Sequence, residues 1–403
     1  MIELRHKRIL LGISGGIAAY KSAELVRELQ RLEADIQVVM TEAACKFVTP
    51  LTLQSLSGKP VYSNMWDDSV SRGMPHIDLS RDRDLIVIAP ATADFIAKLA
   101  HGAADDLLST LCLARNCALL VAPAMNRQMW ESPATRRNVA QLRHDGVLVL
   151  GPDEGHQACG ETGMGRMLEP PHLIREITAW FQPKLLSGTH VLITAGPTFE
   201  PIDPVRGLTN RSSGKMGYAV ARAAIEAGAR VTLITGPTAI EPPNEAEVER
   251  VQTAREMLEA VNAHRDGTDI FIAVAAVADY SVANPSSQKI KKEGAVPALA
   301  LTLNPDIVEA VAKWPNAPFC VGFAAETEKL EENAKAKRRR KNLPLLAANL
   351  VSSAIDAEDN ELFLFDEDGM HRLARSSKLE QARLLIRHVA KLYKPHKAGV
   401  LTK

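Results

Sequence analysis

Nowhere in this chain is there an apolar run of about 18 residues, the length a membrane-crossing helix needs, so no span is predicted. Net charge is missing too: 48 Lys and Arg balance 48 Asp and Glu. Nothing global therefore advertises nucleic acid or an anionic membrane as a partner. The five cysteines, at 45, 112, 117, 159 and 320, are odd in number and contain no CxxC pair. That argues against a zinc site or disulfide framework and for free thiols in a reducing compartment. The early apolar run Ile9-Leu10-Leu11 breaks at Gly12, too short for a secretory h-region. Long linkers and low-complexity segments are also lacking. The expectation is a cytoplasmic protein acting on small molecules.

What is present is ample core material, 46% hydrophobic residues against 24% charged, in a length that suggests about two to three domains. Two stretches open alike. Arg8–Gly12 reads as a strand, a Gly-rich turn follows, 18–32 has helical periodicity, and 36–40 is a second strand. Later, 190–194 reads as a strand, 217–227 as a small-residue helix, and 230–235 as the next strand. Each is the start of a βαβ unit, and such alternation implies a parallel sheet covered by helices. Further strands are predicted at 85–89, 118–121 and 147–150, then at 270–274, 319–323 and 345–348. The prolines at 170, 171 and 183 precede the restart and place the boundary near residue 187, giving domains 1–187 and 188–403.

The run Ala122-Pro-Ala-Met-Asn-Arg-Gln-Met-Trp130 is the least like a linker, which would carry Gly, Ser and Asp. It follows the strand 118–121, at the carboxyl end where open α/β sheets keep ligands. Gly12-Ile-Ser-Gly-Gly-Ile17 opens a helix after the first strand, so backbone N–H groups face an incoming phosphate. Its spacing is not GxGxxG and Thr41 ends the second strand, which favours a mononucleotide over a dinucleotide. Ser212-Ser-Gly-Lys-Met-Gly217 is not a P-loop: Gly207 lies seven residues before Gly214, and Met216 stands where a magnesium-binding hydroxyl belongs. It still reads as an anion-cradling turn, with Asn210, Ser212 and Ser213 as neutral donors.

Taken together these residues resemble the bifunctional phosphopantothenoylcysteine decarboxylase / phosphopantothenate–cysteine ligase family of coenzyme A biosynthesis. The similarity covers essentially the whole chain. It rests on 12–21, Met-Pro-His-Ile (74–77), Ala-Asp-Asp-Leu-Leu-Ser-Thr (104–110), the 123–130 run and Ala-Cys-Gly-Glu-x-Gly-x-Gly-Arg-Met (158–167). In the second half it rests on 194–206, Thr-Asn-x-Ser-Ser-Gly-Lys-Met-Gly (209–217), Ala-Ala-Val-Ala-Asp-Tyr (275–280), Lys-Ile-Lys-Lys (289–292) and Val-Gly-Phe-Ala-Ala-Glu-Thr (321–327). His101, Pro344 and Leu350 depart from the family pattern.

The resemblance implies two doubly wound parallel-sheet domains, a flavodoxin-like flavoprotein followed by a Rossmann-like ligase. For the first it implies FMN held by Gly12, Ser14, Gly15, Thr41, Ala91, Thr92, Asp106, Ser109 and Met125. His76, in a loop after Pro75, is the expected base, Asn126 binds the substrate carboxylate, and Cys159, on a Gly-rich flap, donates a proton. A flavin fits the chemistry, because losing CO2 from a cysteine amide leaves a carbanion that no side chain here can hold. Prior oxidation to a thioaldehyde provides the electron sink.

For the second domain the resemblance implies CTP as co-substrate, Mg2+, and an acyl-cytidylate that the cysteine amine attacks. It places Ala273, Val274, Ala275, Asp279, Lys289, Pro305, Asp306, Ile307, Val308, Phe323, Lys337 and Lys341 around the nucleotide. Asn210 steadies the acyl-cytidylate, Lys289 assists its formation, and Asp279 contacts the metal. By composition alone, 335–341 reads as a solvated helix face. The resemblance also implies trimers of the first half and dimers of the second, combining to a dodecamer. Two alternatives stand beside this reading: a flavin enzyme acting on peptidyl cysteine or a prenyl group, and a non-catalytic regulatory flavoprotein.

Overall fold

The computed structural model of the chain describes residues 4–66, 74–291, 298–350 and 359–400, with side chains described as far as residue 393. Lys292, the last residue of the 289–292 motif, lies outside the described residues. The chain divides into two compact units, Met1–Phe181 and Gln182–Lys403. The division falls a little ahead of residue 187, because Leu186 is buried in the core of the second unit.

In the first unit five strands, β1 (Arg8–Ile13), β2 (Asp35–Met40), β3 (Leu85–Ala91), β4 (Ala118–Pro123) and β5 (Leu148–Val149), pair in parallel in the order β2-β1-β3-β4-β5. This is the flavodoxin-like order, which puts a ligand crevice between the carboxyl ends of β1 and β3. Helices α1 (Lys21–Arg31), α2 (Glu42–Cys45), α3 (Pro50–Ser57), α4 (Pro75–Ser80), α5 (Ala93–His101), α6 (Leu107–Ala114), α7 (Arg127–Glu131), α8 (Pro133–His144) and α9 (Pro170–Trp180) complete it with a hairpin, β6 (Asp153–His156) and β7 (Thr162–Arg166). Alternate strand residues serve opposite faces, as the pleat requires. Ile9, Leu11, Val87 and Ala89 pack with Leu25 and Leu29 of α1 and Leu173 and Ile177 of α9. Leu10, Ile86 and Ile88 pack with Phe95 of α5, Leu108 and Leu111 of α6 and Val139 of α8.

The second unit holds β8 (His190–Ala195), β9 (Phe199–Pro201), β10 (Gly207–Thr209), α10 (Lys215–Glu226), β11 (Arg230–Thr235), β12 (Glu247–Arg250), α11 (Ala254–Ala263), β13 (Ile270–Ala273), β14 (Tyr280–Val282), β15 (Leu301–Leu303), α12 (Ile307–Ala312), β16 (Phe319–Glu326), α13 (Leu330–Arg340), β17 (Leu345–Leu350), β18 (Asp359–Phe365), β19 (Met370–Ser377) and α14 (Lys378–Val400). Its main sheet runs β12-β11-β8-β13-β16-β17-β18-β19. The first six are parallel, and β18 and β19 are antiparallel additions. Among the six, chain order reverses at β8, the Rossmann pattern with its crevice beside that strand. The helix α14 is fastened to α10 by a buried ion pair, Arg383 Nε to Glu226 Oε2 at 2.6 Å and Nη2 to Oε1 at 3.0 Å.

Four sequence expectations change. The helix read at 18–32 begins as a 3-10 turn, Ile17–Tyr20, before α1, entered from an extended Gly16 that offers no side chain to cap an α-helical first turn. The strand at 147–150 is short, and only Leu148 and Val149 pair with β4. His76 stands in the first turn of α4 instead of a loop, Pro75 occupying the helix-start position that suits its missing N–H. The flap carrying Cys159 is the tip of the β6–β7 hairpin, its backbone closed by Gln157 N donating to Glu161 O at 2.8 Å.

Candidate active sites

The cleft of the first unit has a volume of about 1180 Å3 and opens where β1 and β3 end. Ser14, just past β1, ties the two strands together. Its Oγ donates to Pro90 O at 2.8 Å and accepts from Thr92 N at 2.9 Å. Gly15 is required by proximity: a Cβ there would fall 2.4 Å from Ala43 Cβ and 2.7 Å from the Ala43 carbonyl carbon. The loop entering α2 thus closes onto the turn, forming a narrow cradle of backbone and hydroxyl groups. Thr41 caps α2 by accepting from Ala44 N at 3.2 Å, and Thr92 caps α5 by accepting from Phe95 N at 3.2 Å.

On the other wall stand Met125 and Asn126. Asn126 caps α7, its Oδ1 accepting from Met129 N at 3.0 Å and its Nδ2 donating to Gln128 Oε1 at 3.0 Å. The β6–β7 hairpin lies against this loop, with Met125 N donating to Gly165 O at 3.0 Å. Gly165 has φ +140° and a Cβ there would meet Met125 O at 2.3 Å, so the hairpin can approach only through glycine. Gln157 locks the contact, accepting from Arg127 N at 3.0 Å and donating to Gly163 O and Met164 O. Cys159 at the tip is exposed and lines the cleft, 3.7 Å from Glu161 Oε2. By contrast burial pushes the thiols of Cys112 and Cys320 up to about 12, which makes them inert packing groups.

Of the residues expected at FMN, Ser14, Gly15, Thr41, Thr92, Asp106 and Met125 line the cleft together with Asn126 and Cys159. Gly12, Ala91 and Ser109 lie outside the lining, Ser109 closing a capping box on α6 with Asp106. His76 is not brought to the cleft of its own chain. Its Nδ1 is buried, without a hydrogen-bond partner among the described residues. Sequence reasoning missed Lys21, almost buried at the cleft wall, which donates to Met167 O at 3.3 Å and pairs with Glu169 at 2.7 Å. Burial opposes but does not overcome the Lys21 hydrogen bond, and Glu169 stays below the usual carboxylate range.

The second cleft, about 380 Å3, gathers the carboxyl ends of β8, β13, β16 and β17 around the 210–217 turn. Asn210 is held with its Nδ2 donating to Val277 O at 3.0 Å and Ala276 O at 3.4 Å. Val274, Ala275, Asp279 and Phe323 line it, as does Lys337 from α13. Burial, followed by the neighbouring Lys341, lowers the Lys337 ammonium below the ordinary lysine range. Lys341 is itself committed to Asp306 at 2.5 Å, and Asp306 caps α12 by accepting from Glu309 N at 3.2 Å.

Ala273, Pro305, Asp306, Ile307, Val308 and Lys341 accordingly lie outside the lining, as does the exposed Lys289. The segment bearing Lys289 is anchored next door. Ile290 N donates to Asp203 Oδ2 at 3.1 Å, and Arg206 Nη2 donates to Ile290 O at 2.8 Å. Arg206 also pairs with the buried Asp203 carboxylate and holds it well below the usual carboxylate range. The sequence reading missed Asn349, Asn360 and Lys378, which β17, the antiparallel addition and α14 respectively bring to the lining. The available signal was Asn349 at the end of a predicted parallel strand, where ligand contacts concentrate. No signal marked the other two.

Comparison with known proteins gives this geometry a family. Residues 2–182 match the Flavoprotein family, and residues 186–393 match the DNA/pantothenate metabolism flavoprotein C-terminal domain. The coenzyme A biosynthesis bifunctional protein CoaBC of Vibrio vulnificus is 48% identical over 398 residues, 97% of this chain and 99% of that protein. The Escherichia coli K12 protein of the same name is 47% identical over 400 residues, 97% of this chain and 98% of its own. A solved C-terminal domain of a CoaBC protein is 37% identical, with TM-score 0.46, and covers 53% of this chain and 99% of that one. A PPC decarboxylase mutant complexed with pantothenoylaminoethenethiol is 31% identical, with TM-score 0.39, covering 43% of this chain and 97% of that one. Two family matches in tandem and near-full-length identity of almost half the residues place the chain in the CoaBC family of bifunctional coenzyme A biosynthesis proteins.

Proposed function

We propose that the second unit joins 4'-phosphopantothenate to cysteine at the expense of CTP, and that the first decarboxylates the product to 4'-phosphopantetheine with FMN. The supporting observation is the pairing, in one chain of this family, of a flavodoxin-order crevice with a Rossmann-order crevice rich in cations.

In the first cleft, the Gly15 cradle and the hydroxyls of Ser14, Thr41 and Thr92 suit the phosphate of FMN, and the volume accommodates a tricyclic ring with substrate. When bound, FMN supplies a reversible two-electron acceptor, so that the cysteine side chain passes through a thioaldehyde able to take up the electrons that CO2 leaves behind. Asn126 would orient the substrate carboxylate through neutral hydrogen bonds, which leave its departure less opposed than a full positive charge would. Cys159 would return a proton from the hairpin tip. His76 would act as base, its imidazole taking up a substrate proton. Its position outside the lining of its own cleft accords with the trimer that the resemblance implies, in which a second copy of the chain would complete each flavin site.

In the second cleft, Asp279 would hold Mg2+ jointly with the nucleotide phosphates, the usual economy of magnesium sites. Lys337 and Lys289 would offset charge on the triphosphate as pyrophosphate leaves. Asn210 would steady the acyl-cytidylate. The soluble protein would work in the cytoplasm, with no nucleic-acid or membrane partner.

One assay tests the reading. Purified protein given phosphopantothenate, cysteine, CTP and Mg2+ should be yellow and should release pyrophosphate, CMP and CO2 in equal amounts. A colourless preparation that consumes no CTP would overturn it.

A further inference from the structure

We propose that Asp366, His371 and His388 form a binding site for a first-row transition-metal ion, Zn2+ in the first instance, on the second unit and apart from its nucleotide cleft. Three elements converge there. Asp366 begins the turn between β18 and β19, where Asp366 N donates to Gly369 O at 3.1 Å and Gly369 N returns a bond to Oδ1 at 3.1 Å. The turn therefore fixes the carboxylate before any ligand arrives. His371 follows on β19 and His388 comes from α14. Their Nε2 atoms lie 3.0 Å from Asp366 Oδ1 and 2.7 Å from Oδ2, respectively. The rings face each other at 4.8 Å between centroids, tilted by 52°.

The ligand atoms all lie within 4.8 Å of one another. A tetrahedral ion with bonds of about 2.0–2.2 Å holds its ligand atoms about 3.4 Å apart, so seating one requires shifts of under about 1 Å on the two measured contacts. The Asp366 side chain is 2% exposed and that of His388 14%, whereas His371 is 36% exposed. Solvent thus reaches the cluster from the His371 side, where water supplies a fourth ligand. Two imidazoles and one carboxylate suit Zn2+, Co2+ and Ni2+, while Mg2+ and Ca2+ prefer oxygen alone. On binding, each imidazole presents an Nε2 lone pair to the ion and carries its proton on Nδ1.

The position separates this site from the ligase chemistry. Asn360 at the start of β18 and Lys378 at the start of α14 line the nucleotide cleft. Asp366 stands six residues along the strand from that point, about 20 Å. His388 stands ten residues along the helix, about 15 Å. An ion here clamps the far ends of the two elements that reach into the cleft.

The test uses full-length protein stripped with a chelator and then titrated with Co2+ and Zn2+. Expected are a Co2+ d–d absorption band without thiolate charge transfer, one Zn2+ equivalent per chain by equilibrium dialysis, and a Tm increase of about 5–10 °C at a hundredfold excess over Kd. His371→Gln, on the exposed side and tolerable to the fold, should weaken the ion at least about tenfold, and His388→Gln likewise. Binding as strong in both variants as in the wild type, a Co2+ band with thiolate character, or no binding to wild type would each overturn the proposal.

Discussion

The two clefts occupy corresponding places, at the strand ends where chain order reverses, yet they are furnished differently. The first is about 1180 Å3, and its charged wall residues are largely paired off: Lys21 with Glu169, Arg166 with Glu169, and Lys98 with Asp105 and Asp106. The second is about 380 Å3 and is lined by Lys215, Lys337, Lys378 and Arg211 against one carboxylate, Asp279, around a turn of small residues. A wide cleft with its charges neutralised suits a flat ring and a leaving carboxylate, whereas a tight cationic one suits a polyphosphate. On the proposed reading one architecture serves electron transfer in one unit and phosphate chemistry in the other, and loops make the difference.

That contrast can be broken one unit at a time. The largest effect is expected from His76→Asn, which should lower CO2 release by about 10²–10⁴-fold while flavin colour and CMP release persist. Undiminished decarboxylation would remove His76 from the mechanism. Its counterpart is Lys289→Gln, for which a fall of about 10²–10³-fold in pyrophosphate release is expected with decarboxylation of supplied substrate unchanged. Wild-type turnover would show that the exposed position of Lys289 is its working one and that charge there is dispensable.

Gly15→Ala should act only on the first unit. With its Cβ pressed on Ala43, overpacking of about 1–3 kcal/mol should weaken FMN retention by about 10–100-fold, read as flavin per chain after gel filtration. Full colour would mean that the Ala43 loop yields freely. The smallest effect is a pH dependence. Since burial lowers the Lys337 pKa, its charge is lost on going up in pH before that of an ordinary lysine. The KM for CTP should therefore rise at alkaline pH, and Lys337→Arg should move that limb to higher pH. Identical profiles would dissociate Lys337 from the nucleotide.

The parallel cores were legible because their strands are continuous apolar runs, such as 85–89 and 270–272, buried on both faces. What escaped was structure built from other patterns. The β6–β7 hairpin is Gly-rich and polar, and its order comes from Gln157 and the glycine approach to Met125, which no periodicity reveals. Met370–Ser377 carries basic and small polar residues because one face of an added antiparallel strand is wet. At the sites, residues lying at strand ends were readable: Ser14, Thr92, Asn126, Val274 and Phe323 all reach their clefts. Asp306 and Lys341 were not, since a helix cap and an ion pair occupy them. His76 lies outside the lining as well, in the first turn of α4.

Asn360 and Lys378 have a consequence for the order in which the protein matures on the ribosome. The first unit has all its strands and cleft residues once the chain has passed Phe181. The second cannot finish its cleft until translation has delivered Lys378 and the helix that begins there. A nascent chain therefore completes its own share of the first cleft roughly two hundred residues before the second, although condensation comes first in the proposed reaction sequence.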